Sequence, residues 1–140
     1  MKRHFLPNLV IFGLCAGILA GCFILAPPEK GNPHVRIGQF PLPGICTFRS
    51  VTGIPCPGCG LLRSMVSGMH GDVKKSLEYH RLGLLTLFYV TLQFLFRSVV
   101  LLFPVLTSRL SRFEGCLNRG IILLAVLFGI DWMVKLASLL

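Results

Sequence analysis

Residues 82–105 read LGLLTLFYVTLQFLFRSVVLLFPV, an apolar run interrupted by a single charge, Arg97, with a proline, Pro104, only near its end. At about 1.5 Å of rise per residue, a helix of this length crosses the roughly 30 Å hydrocarbon core of a bilayer. Two further runs of the same kind flank it, residues 9–26 and residues 120–140. Composition agrees with lipid as the solvent for much of the chain. Of 140 residues, 54% are hydrophobic and only 14% charged, and the mean hydropathy is +0.76, whereas a soluble domain carries about a quarter charged residues. A chain this short supplies a few crossings and one connecting module. The fold expected is therefore an all-α integral membrane protein, a single domain with three transmembrane helices at 9–26, 82–105 and 120–140. Residues 27–81 would form an extracytoplasmic Cys-rich loop with a short half-helix.

The balance of 14 basic to 5 acidic residues sets orientation rather than nucleic-acid binding. The basic residues border or interrupt apolar segments, where anionic headgroups attract them, and no nucleic-acid recognition motif accompanies them. Lys2 and Arg3 place the N-terminus in the cytoplasm and the Cys-rich loop outside. Arg109, Arg112 and Arg119, against Glu114, place the link between the last two helices inside. Lys30, Arg36, Arg49, Arg63, Lys74, Lys75 and Arg81 pull the other way, but long connections count less than short ones.

Ionisable residues within the apolar runs are costly in lipid. Counted from the link, Arg97 and Asp131 fall at comparable depths, so an antiparallel helix pair would join them by a charge-assisted hydrogen bond. Lys135, four residues after Asp131 on the same helical face, can pair with it or snorkel outward. A clamp between helices explains these residues better than a proton or ion relay, which needs more titratable groups in file.

In the first run, Gly13, Gly17 and Gly21 recur every fourth residue and form a small-residue face that another helix can approach closely. Leu19-Ala20-Gly21-Cys22 also resembles a bacterial lipoprotein cleavage box, which would make Cys22 a lipidation site. Apolar character continues past Cys22 to Ala26, which favours a retained helix. Pro27 and Pro28 then end it, because consecutive prolines cannot continue a helix.

Residues 46–63, CTFRSVTGIPCPGCGLLR, gather three of the six cysteines. Cys-x-x-Cys-Gly is the turn of a metal knuckle: two thiolates at tetrahedral spacing, with glycine letting the backbone bend. Cys56 and Cys59 would bind zinc or iron with Cys46 as third ligand and His34, His70, His80 or water as fourth. The same atoms serve redox chemistry. Pro57 as a first helical residue leaves Cys56 near a helix N-terminus, with Arg63 a turn beyond Cys59, and both features favour thiolate. Cys56 would then be the nucleophile and Cys59 the resolving thiol, although the strand-rich surroundings of the usual redox fold are absent. The third reading is a disulfide from Cys46 to Cys56 or Cys59 that staples the loop. Beyond the motif, Gly71 can end a helix and Asp72 can cap the next. Lys74, Lys75, Tyr79 and Arg81 suit a headgroup-level stretch.

The stretch resembles the bacterial membrane family called domain of unknown function 2752. Its members carry a cysteine, then after a spacer Cys-Pro-x-Cys-Gly, usually followed by Thr-Arg, Gly-Asp and Asn-Pro. Cys46, Cys56-Pro57-Gly58-Cys59-Gly60, Arg63 and Gly71-Asp72 match. Leu62 stands where threonine is usual, and His80-Arg81 where Asn-Pro is expected. The resemblance covers the chain from Cys46 to Gly83 and implies a small helical protein of the bacterial cytoplasmic (inner) membrane, without an established activity. No phosphate-binding glycine loop, Ser/His/Asp signature or paired-carboxylate site accompanies it, which weighs against an enzyme. The function expected is an accessory or assembly subunit of a larger membrane complex, its Cys-stapled loop docking to other membrane subunits. A membrane thiol–disulfide oxidoreductase and a zinc- or iron-binding module are the alternatives.

Overall fold

Pro27 and Pro28 follow the end of the first helix and Gly71 the end of the second, although Pro7 lies within the first turns of the first helix. The structure, a computed structural model, describes residues 2–28, 34–38, 40–41, 51–52, 56, 58, 60–103, 105 and 107–137. Among these, five helices follow in order: α1 (Lys2–Ile24), α2 (Leu61–Met69), α3 (Val73–Tyr79), α4 (Gly83–Leu102) and α5 (Thr107–Ala137). Three stretches are long and apolar enough to cross a membrane: Leu6–Ile24, Gly83–Leu102 and Arg112–Ala137. Between α1 and α2 a two-residue hairpin pairs β1 (Arg36–Ile37) with β2 (Phe40–Pro41). Ala26 and Arg36 exchange backbone hydrogen bonds at 2.8 and 3.3 Å, which ties the chain leaving α1 to the hairpin.

Among the described residues, the module between the first two crossings holds α2 and α3, the two short helices that Gly71 and Asp72 imply. Gly71, at φ +84°, turns the chain out of α2, a left-handed conformation that costs glycine no Cβ clash. Asp72 then caps α3 by accepting the Lys75 backbone N–H at 3.2 Å. Helix α2 lies against α3, α4 and α1. Its buried side chains, Ser64, Met65, Val66 and Ser67, face that junction. One apolar cluster joins Cys22, Val35, Met65 and Val66; a second, farther along α4, joins Phe96, Val100 and Leu117. Phe12 of α1 stacks on Phe94 of α4 at 5.1 Å.

The third long helix differs from the sequence expectation. It begins at Thr107 instead of near residue 120, so the expected basic link is the helix's own first part. No proline lies between residues 107 and 137, and nothing else there removes a helical hydrogen bond.

Candidate functional site

The cysteine turn joins α2 without a gap. Leu61 N–H donates to Gly58 O at 3.0 Å and Ser64 N–H to Gly60 O at 2.9 Å. Gly60 has φ +90°, and a Cβ there would stand 2.6 Å from the Tyr79 carbonyl oxygen. Both the left-handed backbone and the contact with the end of α3 exclude a side chain. Cys56 is half-buried on this turn. Cys46 and Cys59, the other two cysteines of the motif, lie outside the described residues.

Beneath the turn, two buried serines lock α2 to α3. Ser64 Oγ lies 2.6 Å from Ser76 O, 3.1 Å from His80 O and 2.9 Å from Ser76 Oγ, and Ser76 Oγ donates back to Ser64 O at 2.7 Å. A Cβ at Gly83 would fall 1.8 Å from Ser64 Oγ, so the start of α4 presses directly on this pair. The junction fixes where His80 points.

The His80 side chain is fully buried and stacks on Phe128 of α5 at 5.3 Å. Its Nδ1 accepts the Leu82 N–H at 3.2 Å, so the neutral ring carries its proton on Nε2. Nε2 faces Asp131 Oδ2 at 3.7 Å and Lys135 Nζ at 3.3 Å, and Lys135 pairs with Asp131 at 2.6 Å.

These positions bear on the histidines offered by the sequence as a fourth metal ligand. Both ring nitrogens of His80 are engaged within the α3–α5 junction. His70 donates from Nδ1 to Val66 O at 2.9 Å at the C-terminal end of α2. The helix separates it from the cysteine turn by about 13 Å, too far for ligands of one cation. His34 sits half-buried beside Val35, ahead of the hairpin. Among the described residues, no three His, Cys, Asp or Glu side chains are grouped to hold a metal.

Arg97 organises a second polar cluster. Only 1% exposed, it bonds Glu114 Oε1 at 2.7 Å and Asn118 Oδ1 at 2.8 Å, both on α5, and Asn8 Oδ1 on α1. One turn away, Gln93 donates to the Tyr89 hydroxyl, which donates to Leu117 O, each at 2.7 Å. The Arg97–Asp131 pairing expected from the sequence does not form. Arg97 lies about 8 Å from the end of α4, whereas Asp131 lies about 36 Å along α5 and Glu114 about 10 Å. Only Glu114 reaches the depth of Arg97. Asp131 instead meets Lys135.

A likeness to known proteins covers the cysteine turn and the helices C-terminal to it. Residues 46–94 match the family model described as Protein of unknown function (DUF2752). Over these residues the chain is similar to DUF2752. The match takes in the cysteine turn, α2, α3 and the first half of α4 with the Ser64–Ser76–His80 junction; Arg97 and α5 lie beyond it. No curated protein and no solved structure matches the chain.

Outside the matched segment, α1 shows two contrasting faces. Asn8, Cys15 and Cys22 recur at seven-residue spacing and are buried. Cys22, the residue a lipoprotein reading would modify, is 2% exposed within the helix. A Cβ on Gly13, Gly17 or Gly21 would meet no atom within 4 Å. The glycine face is therefore not used for packing among the described residues. Ser64, Ser76, Asn8, Glu114 and Asn118 went unrecognised in the sequence as contributors. Asn8 and Asn118 sit beside apolar runs, and polar residues there are the available signal.

Proposed function

We propose that the chain is an accessory or assembly subunit of a larger complex in the bacterial cytoplasmic membrane. Its N-terminus lies in the cytoplasm, and its extracytoplasmic cysteine turn serves as the docking loop. The observation that carries this reading is the open glycine face of α1: three glycines in register on a membrane-length helix, with no atom within 4 Å of their Cβ positions. Such a face admits close backbone approach by another helix. Helix α5 adds exposed Ile122, Val126, Ile130 and Met133.

The test replaces Gly17 by leucine in the full chain. Native electrophoresis after extraction in mild detergent, with mass determination, reads association in the membrane. The native protein is expected in an assembly larger than one copy, and Gly17→Leu as a single copy with unchanged helicity. A native protein that runs alone, or a variant that assembles normally, overturns the reading. Blocking thiols at lysis before intact-mass analysis tests the loop separately: a disulfide among Cys46, Cys56 and Cys59 is expected. Stoichiometric zinc or iron on reduced thiols would replace the docking loop with a metal site.

A further inference from the structure

A pocket of about 320 Å³ lies where α3 meets the far end of α5, lined by Glu78, His80, Arg81, Asp131, Val134 and Lys135 among others. Its depth follows from the spans. The residues from α3 immediately precede α4, which begins crossing at Gly83. Lys135 lies two residues before the end of the crossing in α5, at Ala137. The pocket thus opens at the same end of two neighbouring crossings, at headgroup level.

Its charges come in balanced pairs. Arg81 and Lys135 supply two cations, Glu78 and Asp131 two carboxylates. Arg81 and Glu78 are exposed, Lys135 is half-buried and Asp131 is 15% exposed. A site of cations alone would select anionic lipid; this one has no net preference for negative charge. The contacts of Asp131 with Lys135 and His80 both run through Oδ2, and its carboxylate lines the pocket. The Val134 side chain, 59% exposed, offers an apolar wall beside the charges.

We infer that this pocket binds the headgroup of a zwitterionic phospholipid bearing a primary amine, of the phosphatidylethanolamine type. Arg81 and Lys135 take the phosphate by charge-assisted hydrogen bonds. The ammonium donates to the carboxylates of Asp131 and Glu78. A choline headgroup has the same net charge but no N–H to donate, so the carboxylates distinguish the two lipids. This inference does not depend on the accessory-subunit reading.

Trp132, the single tryptophan, neighbours Asp131 and serves as the reporter. The full chain is reconstituted into phosphatidylcholine bilayers containing a small, equal fraction of phosphatidylethanolamine, phosphatidylcholine or phosphatidylglycerol brominated high on the acyl chain. Quenching of Trp132 is then measured. Brominated phosphatidylethanolamine is expected to bind about two- to fivefold more tightly than brominated phosphatidylcholine, the range of one partly exposed ion pair. Asp131→Asn should bring that ratio to one with helicity unchanged. Glu78→Gln, on the surface of α3, should lower it without touching the buried junction. Equal quenching by the two zwitterions in the native protein, phosphatidylglycerol ahead of phosphatidylethanolamine, or a native ratio in both variants overturns the proposal.

Discussion

Replacing Gly83 by alanine places a Cβ 1.8 Å from Ser64 Oγ and 2.4 Å from Ser64 Cβ. Neither distance is tolerable, and Ser64 has nowhere to retreat. It is fully buried, its hydroxyl contacts three partners on α3 and the turn after it, and its carbonyl accepts from Ser76. Relief requires α4 to move away from α2, or Ser64 to abandon its hydrogen bonds. Overpacking a close contact costs about 1–3 kcal/mol, and each net buried hydrogen bond lost costs about 1 kcal/mol. With two bonds lost the sum is about 3–5 kcal/mol, roughly two to four orders of magnitude in the folded-to-unfolded ratio. Titration with sodium dodecyl sulfate in mixed micelles, followed by far-ultraviolet circular dichroism, reads the shift. The companion experiment is Gly83→Ala in a Ser64→Gly background, where both clashing atoms are gone. There the alanine should cost under about 1 kcal/mol, a coupling of 2 kcal/mol or more between the sites. A Gly83→Ala protein within about 0.5 kcal/mol of native, or an undiminished cost in the Ser64→Gly background, would refute the reasoning.

Arg97→Met removes the donor shared by Asn8, Glu114 and Asn118 and leaves the Glu114 carboxylate without its ion pair; a loss of about 3–5 kcal/mol is expected in the same titration. Gly17→Ala meets open space on a helix and should be neutral or stabilising by up to about 1 kcal/mol; a clear destabilisation would mean the face is already occupied within the chain. The hydrogen bond and charge of Lys75 hold the Asp72 carboxyl below its usual value, and Asp72 raises Lys75 in turn. Because the folded carboxyl is the stronger acid, its stabilisation of α3 is complete above the unfolded carboxylate range. It is lost as pH falls through the folded value. The helicity of Asp72→Asn should therefore lack the acid-range dependence shown by the native chain, and an identical acid transition in the two proteins would count against the pair.

The crossings were legible because lipid imposes a length and an apolar content that a linear reading detects. Gly71 and Asp72 were legible for a local reason, since a left-handed turn and an N-cap involve residues that are neighbours in sequence. What escaped detection depends on register between distant elements. The partner of Arg97 turned on where α5 begins, and the stretch from Thr107 to Arg119 reads equally as basic loop or polar helix. Ser64 and Ser76 are unremarkable as letters and become a lock only when α2 and α3 fold back on each other. The cysteine spacing marked the segment that matches DUF2752, and the structure adds that Gly60 seats this turn on the end of α3. His80 was noticed as a departure from the usual family residue; its neighbours on α5 lie too far along the chain for spacing to reveal them.

Helix α5 meets the other helices at two polar levels, through the Glu114–Arg97 ion pair and through the contact of Asp131 with the buried His80 ring, about 25 Å apart along its axis. A rod pinned at two separated points can twist about the line through them but cannot swing like a pendulum unless one pin opens. Lateral force applied at either end is therefore transmitted as torque to the opposite pin, so α3 and the Arg97 cluster sense each other through the stiffness of a single helix.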